Sequence, residues 1–117
     1  MAIDAVQQKD AKGLEDLKQL VKAIYKTRYS PTKDTKIKFG QFAIELKNNT
    51  RDGKKGSVTG IFTTRVKSEK IMTATYGDGQ AQYNNFVKAS EAVLFKLEYR
   101  IRQEIAFFKR PTSSFDS

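Results

Sequence analysis

The chain has 117 residues, 38% hydrophobic and 30% charged, which suits one globular domain with a modest core and excludes a disordered polyelectrolyte. Twenty-two Lys and Arg stand against 13 Asp and Glu, and a formal charge of +9 points first to polyanionic partners. With neither histidine nor cysteine, the sequence leaves no histidine-based triad, no thiolate chemistry, no disulfide and almost no route to a zinc or transition-metal site.

Residues 4–29 read as a helix. Leu14, Leu17, Val21, Ile24 and Arg28 follow three-and-four spacing, Leu20 and Tyr25 widen the stripe, and Lys18, Lys22 and Lys26 lie on another face. Gly13 weakens the pattern by about 1 kcal/mol relative to alanine. Residues 1–12 are therefore expected to be loose, with one domain over 13–110 and a flexible polar tail over 111–117. Pro31 ends the helix, because the residue before a proline avoids the α region.

Residues 36–46 read as a first strand in which the apolar parity changes at Gly40. Ile37 and Phe39 are odd, whereas Phe42, Ile44 and Leu46 are even. A glycine where alternation slips by one predicts a β-bulge. Residues 48–57 contain no apolar side chain and include Asp52-Gly53, which is turn chemistry. They predict a long hairpin with a basic tip. A second strand over 58–66 puts Val58, Phe62 and Val66 on one side, with Ile61 and Arg65 on the other. Lys67-Ser68-Glu69-Lys70 reads as a polar link to a third strand over 71–76. Short links predict a three-stranded antiparallel meander.

The last element is ambiguous by pattern. As a helix, Tyr83, Phe86, Val87, Ser90, Val93, Leu94, Leu97, Ile101, Ile105 and Phe108 form one stripe; as a strand, Phe95, Leu97, Tyr99 and Ile101 alternate with charged residues. No Gly, Pro or Asn breaks the chain after Ala92, and the residues are good helix formers, so the reading is one helix over about 80–108. The fold class is α+β: a three-stranded β-meander flanked by an N-terminal and a long C-terminal helix.

The chemistry available is binding chemistry. No phosphate-loop or dinucleotide fingerprint is present, and Asp34, Glu45, Asp52, Glu69 and Asp78 are scattered singly, so a non-enzymatic protein without metal or cofactor is expected. Residues 31–79 carry ten basic and five acidic groups, which concentrates the positive excess on the sheet. The candidate nucleic-acid contacts are Lys36, Lys38, Lys47, Arg51, Lys54, Lys55, Arg65, Lys67 and Lys70. Cations beside phosphates release counterions and give affinity without sequence preference. Unpaired strands usually also need aromatic platforms. Phe42 and Phe62 are wanted for the core, which leaves Tyr76 and then Phe39 as stacking candidates.

The expected function is low-specificity binding of single-stranded DNA or RNA. The alternative is a structural or protein-interaction subunit of a phage- or plasmid-type assembly, working through the long helix. Phe95, Tyr99, Phe107 and Phe108 are the candidate contacts of a homodimer or higher oligomer. No apolar run approaches the roughly 18 to 20 residues that cross a bilayer. Met1-Ala2-Ile3-Asp4 lacks a signal-peptide pattern, so a cytoplasmic protein without a membrane partner is expected.

The order helix, three strands, glycine-containing turn and alanine-bearing helix (Ala81, Ala89, Ala92) resembles the double-stranded-RNA-binding domain over residues 14–98. That resemblance implies double-stranded RNA as a further partner. The sequence departs from the family at the start of the last helix, where Gln80-Ala81-Gln82-Tyr83-Asn84-Asn85 replaces a lysine cluster. The histidine of the family's first hairpin is missing as well.

Overall fold

The computed structural model describes residues 2–27, 34–50, 56–77 and 82–108; for residues 2–10, 50, 82 and 83 it describes the backbone alone. The order is α1 (Ala2–Lys26), β1 (Thr35–Phe39), β2 (Phe42–Thr50), β3 (Gly56–Thr63), β4 (Ser68–Tyr76) and α2 (Gln82–Phe108). The four strands form one antiparallel sheet in the order β1-β2-β3-β4, and both helices pack on the same face of it. The class is α+β as expected. The ambiguous segment 93–102 is helical.

The strand count differs because residues 36–46 are two strands. Gly40 has φ +59° and, with Gln41, makes a two-residue hairpin turn closed by the pair Phe39–Phe42. A bulge and a two-residue turn produce the same slip in apolar parity, since residues 39 and 42 are cross-strand partners on one face. Pattern alone does not separate them. The register irregularity of this sheet lies elsewhere: Gly60 faces Met72 while Ile61 faces Lys70, so Ile71 is the extra residue of β4. With four strands, the layout shared with the double-stranded-RNA-binding domain no longer holds.

Two further boundaries shift. β4 begins at Ser68, so Glu69 and Lys70 belong to a strand and the link is Thr64 to Lys67. That link is closed by the Thr64 amide donating to the Lys67 carbonyl at 2.8 Å. Val66 sits in it with 81% of its surface exposed, not on the inner side of a strand.

The core fills the layer between sheet and helices. From α1 come Leu17, Leu20, Val21 and Ile24; from α2 come Phe86, Val93, Leu94, Leu97 and Ile101; from the sheet come Phe42, Ile44, Leu46, Val58, Phe62 and Tyr76. α1 lies over β1 and β2 while α2 lies over β3 and β4. Gly60 permits the close approach of α2, since a Cβ there would stand 2.4 Å from Val93 Cγ1. Thr27 finishes α1 by donating its amide to the Ile24 carbonyl at 3.1 Å and its hydroxyl to the Ala23 carbonyl at 3.0 Å.

Candidate nucleic-acid interface

Alternation along the strands sends every second side chain away from the helices. Cross-strand register arranges these in rows: Lys38, Ala43, Thr63 and Ser68; then Lys36, Glu45, Ile61 and Lys70; then Lys47, Thr59 and Thr73; then Asn49, Ser57 and Thr75. This open face is tied together by hydroxyl pairs. Thr59 and Thr73 meet at 3.0 Å, as do Thr63 and Ser68. Asn49 Nδ2 reaches the Ser57 and Thr59 hydroxyls at 3.5 Å each. The result is a floor mainly of hydroxyls and amides, interrupted by Ala43, Glu45 and Ile61, with lysines standing on it.

Lys36, Lys38, Lys47 and Lys70 are exposed on this face, and Glu45 is the acid among them. Among the described residues, the ion pairs involve Arg100 or Arg102 and none of these lysines. Three further acids, Glu69, Glu98 and Glu104, are occupied on the helix side. Arg100 lies between Glu69 at 3.5 Å and Glu104 at 2.7 Å, with its guanidinium 5.3 Å from the centre of the Phe62 ring. Arg102 pairs with Glu98 at 2.9 Å, and the Tyr25 hydroxyl donates to the same carboxylate. Tyr25, more than partial burial or Arg102, sets the balance and holds Glu98 below the ordinary carboxylate range.

The loop cations Arg65 and Lys67 are exposed at the end of the sheet where the Gly40 turn also lies. Arg51, Lys54 and Lys55 fall outside the described residues, in the part of the sequence between β2 and β3. The structure thus brings four of the nine candidate cations together on one face and sets two at its edge.

The stacking candidates are placed differently. Tyr76 is only 5% exposed. Its ring covers Gly56, its cross-strand partner, and meets Phe86 edge-on with centroids 5.5 Å apart. Its hydroxyl donates to Asn48 Oδ1 at 2.9 Å. A ring so enclosed offers no platform to a base, which corrects the expectation for Tyr76. Phe39 is half-buried against the core, on the helix side opposite Phe42. Every described aromatic of the sheet faces the helices. Glycines next to Tyr76 suggested exposure, whereas the glycine across the strand pair is what buries it.

Of the proposed oligomer contacts, Phe95, Tyr99 and Phe107 are 69%, 58% and 62% exposed. Phe108 instead packs edge-on against Phe42, with centroids 6.4 Å apart, and serves the edge of the core. Residue-by-residue reading missed the hydroxyl rows. Their signal was available in the alternation Ser57, Thr59, Ile61, Thr63 of β3, but the pairing of Thr59 with Thr73 needed the register.

Among the described residues, no helix is long and apolar enough to cross a membrane, and no three acidic side chains converge as a metal site would require. Comparison with known families, curated proteins and solved structures finds no match to this chain.

Proposed function

We propose that this protein binds nucleic acid along the open face of its sheet, holding the sugar–phosphate backbone with little sequence preference. The observation that carries the reading is the set Lys36, Lys38, Lys47 and Lys70, exposed and without ion pairs among the described residues, on a face whose other groups are mostly hydroxyls and amides, with Glu45 as the acid and Ala43 and Ile61 as apolar members. Lysines supply counterion release, and hydroxyl and amide groups donate to phosphate oxygens. A single strand is the favoured partner on mechanical grounds. A twisted sheet is followed more readily by a flexible strand than by a duplex with a persistence length of about 50 nm. Base stacking plays no part on this face.

Fluorescence anisotropy with a labelled single strand, a duplex and an RNA of equal length, at low and moderate salt, tests the reading. Salt-sensitive binding, tightest for the single strand and indifferent to its sequence, is the expected result. Absence of binding to all three at low salt would overturn it.

A second reading, an interaction subunit, is favoured by the outer side of α2. Ala92, Phe95, Tyr99 and Ala106 recur at spacings of three, four and seven, directly opposite the buried Val93, Leu97 and Ile101. A helix of the same kind from a second copy would cover this stripe. Light scattering over a concentration series should then show a mass above the monomer's 13.3 kDa, returning to it when Phe95 and Tyr99 are both replaced by serine.

A further inference from the structure

A cavity of about 500 Å³ lies at the Gly40 end of the sheet, between α1, the end of α2 and the Thr64–Lys67 link. Its volume is within the range of small-molecule and cofactor sites. Its apolar wall is made by Phe42 and Phe108, which meet edge to face, and space is left beside them because residue 13 has no side chain. A Cβ at Gly13 would stand 3.4 Å from the Phe108 ring and 3.6 Å from that of Phe42.

Besides the neutral Gln41 and Thr64, the charged groups are of three kinds. Arg100 is already held by Glu69 and Glu104, so the inner wall is internally neutralised. Lys12, Arg65 and Lys67 line the site and have no ion pair among the described residues. Asp16 lies against Gly40, where a Cβ would come within 1.9 Å of its Oδ2. No described residue donates to this carboxylate, which leaves it open to N–H donors of a ligand.

We propose that this cavity binds one nucleotide: the base lies against Phe108, Asp16 accepts from base N–H groups, and Arg65 and Lys67 hold the phosphate. The class follows from the combination, since the wall wants a flat apolar body, the carboxylate wants N–H donors and the cations want an anion. The proposal rests on and deepens the nucleic-acid reading. Arg65 and Lys67 adjoin Thr63 and Ser68, the end row of the open face, so a strand lying there reaches the cavity by turning around the sheet's edge.

The test is NMR titration of the whole chain with the four 5′-mononucleotides and with ribose 5-phosphate, beside oligonucleotide anisotropy on the same samples. Saturable mononucleotide binding, at least tenfold tighter than that of ribose 5-phosphate, with shifts at the Gly13 and Gly40 amides, is expected. Gly13→Leu fills the cavity and favours the helix, so it should abolish that binding without lowering Tm. The Arg65→Ala/Lys67→Ala double variant should weaken it at least tenfold.

Equal binding of ribose 5-phosphate, or unchanged binding by a folded Gly13→Leu variant, would overturn the cavity assignment. Oligonucleotide binding without mononucleotide binding would remove the cavity proposal alone, and loss of both would remove the nucleic-acid reading with it.

Discussion

On the helix-covered side of the sheet, Ile44, Val58, Phe62 and Tyr76 are all 5% exposed or less, while the residues between them on the other side are mostly lysine, threonine, serine and asparagine, with Ala43, Glu45 and Ile61 among them. The same strands supply both faces, one residue apart. The covered face takes every described aromatic of the sheet and the open face takes none, so the two faces can be altered independently. Hydrophobic burial holds the first together, whereas the second carries four lysines against one acid, Glu45, with no ion pair among the described residues. A protein built this way is expected to keep its stability when its binding face is stripped and to lose it when its core is cut.

The sharpest break in that contrast is Phe62→Ala. It removes a fully buried ring stacked 6.4 Å from Phe42 and should cost about 3–5 kcal/mol in urea unfolding. Replacing Lys36, Lys38, Lys47 and Lys70 together by alanine is the converse experiment. Nucleic-acid affinity should fall, and its salt dependence should flatten by up to about 0.7 per lysine for a single strand. Stability should move by no more than about 0.5 kcal/mol per site. If stability fell as it does for Phe62→Ala, the separation of the faces would be wrong.

Tyr76→Phe probes the residue on which the sequence and the structure disagree. Loss of its bond to Asn48 should cost about 0.5–1.5 kcal/mol and leave nucleic-acid affinity unchanged, whereas a stacking role would tie the two measurements together. Ser90→Ala goes the other way. Its hydroxyl is buried at 1% exposure with no partner among the described residues, so alanine should raise stability by about 1 kcal/mol.

The smallest expected effect is on pH. Glu98 titrates below the ordinary carboxylate range when folded, first because Tyr25 donates to it and then because Arg102 pairs with it, against a desolvation that works the other way. A carboxylate shifted down contributes stability that is complete above its unfolded pKa and is lost as pH falls through the folded value. The Tm difference between the natural chain and Tyr25→Phe should therefore be constant near neutrality and shrink in acid. A gap that widened in acid would assign the contact the wrong sign.

Much of the fold was legible. The stripe Leu17, Val21, Ile24 and the stripe Val93, Leu97, Ile101 place both helices, because a helix buries one face and must repeat with its own period. The cations of the sheet were legible as candidates, since charge is a property of composition. The turn at Gly40 was not: residues 36–46 satisfy both a bulged strand and a hairpin, and only the pairing of Phe39 with Phe42 separates the two. Tyr76 was misplaced for a related reason, since what covers Gly56 is decided by register between strands, not by neighbours along the chain.

By itself the sequence determined the α+β class, the two helices, the excess of positive charge and the absence of histidine and cysteine chemistry, all of which reside in local period and composition. Tertiary structure alone decided that four strands and not three make the sheet, that its described aromatics turn toward the helices, and that Arg100 takes up Glu69 and Glu104 while the lysines opposite have no ion pair among the described residues. The physical reason is that these outcomes depend on which distant residues come into contact, and a strand presents either face to the core according to a register that no single strand contains.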